Sequence, residues 1–344
     1  MAKKTALVIS GGGSKGAFAV GVVKYIFENH PEIKFDMVCG TSTGALMTPL
    51  VATHELALME QIYTTKSTPD IVDTTRVGKR FLVGANSIFD GTPLVNLAQQ
   101  TYTQARYNKI LQSGVDIFIN TVCLQTQKVV VFSTKDMPLA GQDYEVIKVA
   151  DKDELIRAII ASASQPFFMS PIEIRSNTLI PRQYVDGGIR EYLSIQLAID
   201  NGATDIYAVA LSPKDQIPDN VKQSSLIDIL KLSVDIFSTD VGVSDIKIPQ
   251  IYNQGLKYID EVKANMKTSG MTDTQIESLF TTNGDNPFQN KRQLKIHIIR
   301  PAQKLKGGMG GLEFIPADMI EMKINGEATA KKYFDDLALG NILV

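Results

Sequence analysis

Two glycine-rich turns lie close together near the start of the chain, and each follows a short apolar run and precedes a helical pattern. Residues 11–16 read Gly-Gly-Gly-Ser-Lys-Gly, and residues 40–44 read Gly-Thr-Ser-Thr-Gly. A serine held on a sharp strand-to-helix turn leaves no room for side chains two residues to either side, which explains the glycines at Gly40 and Gly44. The second turn therefore predicts an elbow that pushes Ser42 within reach of a substrate.

Short apolar runs alternate with helical patterns along the chain. The predicted strands are Ala6–Ile9, Met37–Cys39, Val115–Val122, Lys128–Phe132 and Ile206–Leu211. Such alternation is typical of a layered α/β fold. One apolar helix is predicted to follow Ser42 and to run through Leu46, Leu50 and Leu56, with a kink at Pro49, which removes a backbone donor.

Composition excludes several classes of function. The 344 residues are 44% hydrophobic and 21% charged, which is enough for one large core or two smaller ones. The formal net charge of −2 does not indicate the excess of basic residues that is typical of proteins that bind nucleic acid. The apolar stretches fall far below the ~20 residues that span a bilayer, so any contact with lipid is expected to be peripheral. Residues 1–4 run directly into the first strand without a small-residue cleavage site, and we expect a cytoplasmic protein.

Histidine and cysteine give little support for metal or disulfide chemistry. The three histidines, His30, His54 and His297, lie apart in the chain and do not make a metal-ligand spacing. Cys39 and Cys123 lie within apolar strand-like runs, where a buried structural thiol is the expected role. We therefore expect no metal, no cofactor and no disulfide, and a mechanism that does not depend on histidine.

The first turn by itself fits more than one binding role. Backbone amides of the glycines can converge on a negatively charged oxygen, and the helix that follows adds the positive end of its dipole. The spacing of Gly11, Gly13 and Gly16 also satisfies the dinucleotide-binding fingerprint, with Asp36 at the distance expected for an acid that meets a ribose. However, Asp36 begins the second apolar run instead of ending it. A Walker phosphate loop is excluded, because Ala17 follows Gly16 where lysine is required.

Ser42 needs a partner, because serine is a weak nucleophile until a base takes its proton. Asp186 is the best candidate, since Gly187 and Gly188 after it let the chain turn tightly and approach other backbone closely. An Asp-Gly pair alone is equally typical of an ordinary turn. The choice between these roles depends on what surrounds Asp186 in space.

The order of three motifs resembles the patatin-like phospholipase family. These motifs are Gly-Gly-Gly-x-Lys-Gly at 11–16, Gly-Thr-Ser-x-Gly at 40–44 and Asp-Gly-Gly at 186–188. The resemblance implies a three-layer α/β/α fold with a central, mostly parallel sheet. It implies a catalytic domain at residues 5–212, followed at 213–344 by a helical extension with one closing strand that packs on the catalytic domain.

Carried over position by position, the resemblance implies a serine–aspartate dyad without histidine. Ser42 is then the nucleophile, Asp186 the base, and the amides of Gly11, Gly12 and Gly13 the donors to the oxyanion. Supporting roles fall to Lys15, Gly16, Gly40, Gly44, Gly187 and Gly188.

Two further expectations concern the neighbours of the dyad. Lys15, at a helix start, is expected near solvent or an anionic head group. Ser162 and Ser164 lie in an Ala-Ser segment that also resembles the family, and they are expected to pack near the site.

The resemblance implies hydrolysis of a phospholipid or lysophospholipid through an acyl-enzyme, whereas the residues themselves indicate only acyl-ester hydrolysis. Two alternatives stay open. One is a nucleotide-binding regulatory module that uses the first turn, with Ser42 merely capping a helix. The other is acyl transfer to an acceptor other than water, which requires the same residues.

Residues 64–92 carry a weaker pattern of polar residues and glycines, with apolar islands at 81–83 and 88–89. This pattern fits two alternatives. One is an ordinary surface excursion with a few anchoring residues, and the other is a flap over an apolar cleft.

Overall fold

A computed structural model describes residues 3–136, 143–175, 180–215, 222–281, 284, 286–288 and 291–342, with the side chain of Phe81 outside this description. The strands are β1 (Thr5–Ile9), β2 (Met37–Thr41), β3 (Asp116–Cys123), β4 (Val129–Ser133), β5 (Glu145–Lys148), β6 (Ile172–Ile174), β7 (Arg182–Asp186), β8 (Asp205–Val209) and β9 (Lys295–Ile299). The helices are α1 (Gly16–Asn29), α2 (Thr43–Ala52), α3 (Leu56–Thr65), α4 (Thr68–Ile71), α5 (Val77–Leu82), α6 (Thr92–Thr101), α7 (Gln104–Gln112), α8 (Lys152–Ala163), α9 (Ile195–Asp200), α10 (Leu226–Thr268), α11 (Asp273–Phe280) and α12 (Pro316–Ala338).

All of these strands belong to one sheet. Its main path runs in the order β5-β4-β3-β2-β1-β8-β9, and β7 pairs with both β3 and β6. The pairs from β3 through β2, β1 and β8 to β9 are parallel, whereas β3 pairs antiparallel with β4 and β7. The parallel centre places the carboxyl ends of β1 and β2 side by side, so both glycine turns emerge at the same edge of the sheet.

Alternating residues of the central strands enter two separate cores. In β1, Leu7 and Ile9 pack with α1 and α2 on one face, and Ala6 and Val8 pack with α9 on the other. Both faces of the sheet are therefore covered by helices, as expected for a parallel sheet with helical crossovers. The predicted three-layer α/β/α fold with a mostly parallel sheet is confirmed.

The C-terminal third of the chain takes part in this layered structure. Strand β9 extends the sheet beyond β8 in parallel register. Helix α12 crosses α1 at very short range: an added Cβ at Gly21 would lie 2.0 Å from the Lys323 carbonyl oxygen, and one at Gly326 would lie 2.0 Å from that of Phe18. Only glycine permits so close an approach of two helix backbones.

Some local predictions were wrong. The single apolar helix expected after Ser42 is broken, since α2 ends at Ala52, α3 begins at Leu56, and His54 between them has a φ of 56°. The sequence pattern also missed β5, β6 and β7, which are only three to five residues long. Among the described helices, even the 43-residue α10 lacks a stretch apolar enough to cross a bilayer.

Candidate active site

Ser42 occupies a strained turn between β2 and α2. Its φ of 56° and ψ of −121° are unusual for a residue with a side chain. The two flanking glycines make the turn fit: a Cβ at Gly40 would lie 2.5 Å from the carbonyl carbon of Gly44, and one at Gly44 would lie 2.2 Å from the Ile9 carbonyl oxygen. Any larger residue at either position would force the turn open, so the local sequence dictates the raised position of Ser42.

A buried serine fixes the backbone of this turn. The Ser42 N–H donates to the Ser162 hydroxyl oxygen at 2.9 Å, and the Ser162 hydroxyl in turn donates to the Asn120 carbonyl oxygen at 2.6 Å. Ser162 lies in the last turn of α8 and is fully buried. It thereby connects the strained turn to β3 and α8. Ser164, which was also expected near the site, accepts a hydrogen bond through its backbone oxygen from the Asp186 N–H at 2.9 Å.

Asp186 ends β7 and meets Ser42 in space. Its pairing opposite Thr121 of β3 carries the carboxylate to the carboxyl edge of the sheet. The Ser42 side chain lies close enough to this carboxylate to lower its pKa, and the Gly188 N–H donates to its Oδ1 at 2.8 Å. Asp186 is 7% exposed. Burial raises the pKa of the Asp186 carboxyl to about 6, although the interactions with Ser42 and Gly188 counteract this rise.

The first glycine turn lies directly beside Ser42. An added Cβ at Gly11 would lie 3.1 Å from the Ser42 Cβ. Gly12 and Gly13 have φ angles of 145° and 57°, in the region that favours glycine. Among the described residues, no protein group accepts a hydrogen bond from the amides of Gly11 and Gly12. These amides are therefore available to an oxygen atom placed next to the Ser42 hydroxyl.

A second glycine-rich loop, which the sequence analysis missed, supports the first. Residues 307–311 read Gly-Gly-Met-Gly-Gly, and this loop crosses the turn at residues 11–16. A Cβ at Gly311 would lie 2.0 Å from the Gly12 carbonyl oxygen, and one at Gly13 would lie 2.1 Å from the Gly311 carbonyl oxygen. A run of four glycines in five residues was a visible signal, but nothing in it indicated which part of the chain it would contact.

The expectation that Lys15 lies near solvent was wrong. Its side chain does not face solvent, because Lys15 is only 8% exposed and its ammonium lies 3.6 Å from the Asp235 carboxylate of α10. This ion pair connects the start of α1 to the long C-terminal helix. Gly16 has a packing role, since a Cβ there would lie 2.5 Å from the Thr43 hydroxyl.

An apolar cavity opens at Ser42 and Asp186. It measures about 1150 Å³ when its open mouth is included. Its walls are mainly side chains of α2, α3 and α6 together with part of the C-terminal third of the chain, and the residues include Leu46, Leu50, Ile62, Leu94, Leu97, Tyr102, Leu312, Phe314 and Met319. Ser42, Asp186 and the glycines of the first turn lie at this largely apolar wall, which suits a ligand with a long apolar part.

Helix α10 forms one side of this cavity through Val234, Asp235 and Ser238. Its position is set by Asp245, whose carboxylate accepts hydrogen bonds from the N–H groups of Tyr192 and Leu193 at 2.9 and 2.8 Å. Burial raises the pKa of Asp245 to about 7. Sequence reasoning missed these contacts because they join segments about fifty residues apart with no shared motif.

Residues considered for other chemistry lie elsewhere. Asp36 comes just before β2, and its carboxylate accepts a hydrogen bond from the Thr5 N–H at 2.7 Å, so it is not at the strand end where a ribose would be recognised. Cys39 and Cys123 are buried free thiols. His297 is buried between Asp205 and Tyr333, with 2.8 Å to each. Within the described part of the chain, no cluster of potential ligands could hold a metal ion.

One family model matches the chain over the residues that form this site. The family described as patatin-like phospholipase matches residues 7–199. No curated protein matches the chain significantly. Among solved structures, the crystal structure of VipD from Legionella pneumophila aligns with a TM-score of 0.44 and 10% identity over 97% of this chain and 67% of that chain. Because the matched residues span both glycine turns and the aspartate that the fold brings beside them, the chain belongs to the patatin-like phospholipase family.

Proposed function

We propose that the protein hydrolyses acyl esters of phospholipids or lysophospholipids with Ser42 as nucleophile and Asp186 as base. The observation that carries this proposal is that Ser42, on a strained turn, interacts with the buried Asp186 carboxylate beside glycine amides that have no protein acceptor among the described residues. The family supports lipid acyl hydrolysis in general. The dyad and the choice of lipid are the finer parts of the proposal.

The geometry supports a two-step reaction. Asp186 accepts the hydroxyl proton while the Ser42 oxygen attacks the ester carbonyl carbon, and the amides of Gly11, Gly12 and Gly13 stabilise the negative charge on the carbonyl oxygen. The tetrahedral intermediate then expels the alcohol, which takes the proton from Asp186, and the acyl group stays on Ser42. A water molecule gives its proton to Asp186 and attacks the acyl-enzyme, so the fatty acid is released and the Ser42 hydroxyl is restored.

The cavity supports a lipid as the substrate. Apolar and aromatic side chains line most of its wall, which offers an acyl chain a largely apolar environment. In this proposal the ester group of such a chain lies beside Ser42, Asp186 and the first glycine turn, which line the same cavity. Contact with the lipid surface is peripheral in this proposal, because only the scissile chain has to enter the cavity.

Covalent labelling tests the assignment of the nucleophile. A fluorophosphonate probe should modify Ser42, because the reaction requires an activated serine next to oxyanion donors. Mass spectrometry of the labelled peptide locates the modified residue. The Ser42→Ala variant should remain unlabelled. A folded wild-type protein that takes up no probe, or that takes it up at another serine, would contradict the proposal.

Ser162→Ala should slow turnover by about tenfold to a hundredfold with little change in KM. The substitution leaves the Ser42 N–H without its acceptor, at a cost of about 1–3 kcal/mol, and frees the strained turn to shift. Steady-state kinetics on a dispersed ester measures this effect.

Ser164→Ala is the matched control for that experiment, because the Ser164 hydroxyl donates only within α8, to the Ile160 carbonyl at 2.8 Å. It should change kcat by less than about threefold, since it breaks no contact of the turn. Equal losses in the two variants would mean that Ser162 has only a general packing role.

A further inference from the structure

The excursion at residues 72–91 starts and ends at the cavity wall. Ile71 just before it and Leu94 just after it both line the cavity. Asp73 and Asp90 close its base as an antiparallel bridge, with N–H to carbonyl distances of 2.9 and 3.1 Å. The part of the excursion beyond this bridge therefore projects from the rim of the cavity.

The tip of the excursion exposes large apolar side chains. Leu82 and Val83, at the end of α5, are 87% and 78% exposed. Ile88 and Phe89, only a few residues later, are 6% and 5% exposed and belong to the main core. The segment thus has buried anchors of its own. Its tip stays exposed although residues only a few positions later pack into the main core.

Hydrogen bonds connect this excursion to the segment that carries Phe167 and Ser170. The Arg80 guanidinium donates to the Ser87 carbonyl at 3.0 Å and to its hydroxyl at 2.6 Å, and the Ser87 hydroxyl lies 2.8 Å from that of Ser170. The Ile88 N–H donates to the Phe167 carbonyl at 2.8 Å.

Phe167 belongs to the same rim. It is 57% exposed with a φ of 71°, and it follows Pro166, which lines the cavity. Phe167 is therefore a third large, exposed apolar side chain, on a strained residue next to the cavity wall.

The same surface carries positive charge. Between Asp73 and Asp90 the sequence has three cations, Arg76, Lys79 and Arg80, and no acid. Arg80 is occupied by its hydrogen bonds to Ser87, and Arg76 lies 3.6 Å from Asp73 with its side chain 68% exposed. Lys79 is exposed, and among the described residues no carboxylate lies within ion-pair distance of it.

We propose that one group of exposed residues, the rim patch, docks the protein on an anionic phospholipid bilayer. The rim patch consists of Leu82, Val83, Phe167, Arg76 and Lys79. Apolar side chains flanked by cations match the boundary between acyl chains and negatively charged head groups. A docked patch places the cavity mouth against the lipid from which a chain would enter. The proposal goes beyond the proposed hydrolase function, because docking is measurable without turnover.

Vesicle co-sedimentation tests the rim patch, with the full-length Ser42→Ala protein as the background so that no lipid is consumed. The background protein should bind phosphatidylcholine–phosphatidylglycerol vesicles more tightly than pure phosphatidylcholine vesicles, and less tightly as salt rises. The pair Leu82→Ser and Val83→Ser should weaken binding by about tenfold or more, because two exposed apolar side chains no longer enter the lipid. Lys79→Glu should weaken binding by about tenfold on the anionic vesicles only.

Matched controls lie far from the rim. Leu339→Ser removes an apolar side chain that is 74% exposed. Leu339 lies at the end of α12, twenty residues after the cavity residue Met319, which corresponds to about 30 Å along the helix axis. Lys257→Glu reverses an exposed charge in the distal part of α10. Both should bind vesicles within about twofold of the background protein, since neither residue belongs to the patch.

Two results would overturn the proposal: rim variants that bind as the background protein does, or a background protein that ignores anionic vesicles, in which case the patch serves a protein partner. An activity assay separates this outcome from failure of the hydrolase proposal. For this assay the rim substitutions are made in the protein that keeps Ser42, and its hydrolysis of a dispersed short-chain ester is measured. That activity should stay within about twofold of wild type, because the patch does not touch the dyad.

Discussion

Ser42→Ala is expected to lower ester hydrolysis by at least about 10⁴-fold while the protein stays folded. The variant keeps the Cβ and therefore the backbone geometry of the turn, but it removes the atom that attacks the carbonyl carbon of the substrate in the proposed reaction. The amides of Gly11 and Gly12 still surround the carbonyl oxygen, so a small residual rate over water should persist. Release of fatty acid from a lysophospholipid, at saturating substrate, measures this loss.

Ser238→Ala provides a matched control for the loss of a hydroxyl from the same cavity. Ser238 lies on α10 and lines the cavity. Its loss should change kcat by less than about threefold, because it has no part in the bond-making steps. A Ser42→Ala protein that keeps more than about 1% of wild-type turnover would rule out Ser42 as the nucleophile.

Asp186→Asn is expected to cause a similar loss of about 10⁴-fold, since an amide still accepts a hydrogen bond but does not take the proton.

The wild-type enzyme should show a matching pH dependence. With the pKa of Asp186 raised to about 6, the carboxylate is protonated below that pH and kcat/KM should fall by about tenfold per pH unit there. Above about pH 7 the base is ionised and kcat/KM should reach a plateau. A profile that is flat from pH 5 to pH 8 would contradict the role of Asp186 as base.

The same substitution should stabilise the fold at high pH. An unfolded aspartate has a pKa of about 3.9, whereas the folded value is about 6, so the folded protein holds this proton more tightly. The corresponding contribution to stability is complete below about pH 4 and is lost as pH rises through about 6. At pH 8 the buried charge therefore costs up to about 3 kcal/mol, and Asp186→Asn removes that cost.

Thermal unfolding at pH 5 and pH 8 measures this effect as a difference between variant and wild type. The difference is needed because burial also raises the pKa values of Asp245 and Glu191, to about 7 and about 8, and these groups add their own pH dependence to both proteins. Asp186→Asn should gain Tm relative to wild type as pH rises. The exposed Asp240→Asn should show no such gain, and an equal gain in both variants would argue against a strained buried charge at Asp186.

Local sequence was sufficient for the parts of the site that depend on backbone conformation. The sharp turn at Ser42 needs glycine on both sides because the backbone atoms of neighbouring segments leave no space for a Cβ, and this requirement is visible in five consecutive residues. The φ angles of Gly12 and Gly13 likewise leave a glycine signature. The alternation of apolar runs predicted the layered fold for the same reason, because each strand and helix is recognised within its own length.

The sequence by itself therefore determined the layered α/β fold and the two glycine turns, and it is the source of the proposal that Ser42 and Asp186 are nucleophile and base. Only the tertiary structure decided what surrounds them: the support of Ser42 by Ser162, the crossing of the first turn by residues 307–311, and the burial of Lys15 against Asp235. Each of these contacts joins segments more than a hundred residues apart. No local pattern encodes such a contact, because its partners are chosen by how the sheet and its two helical layers pack together.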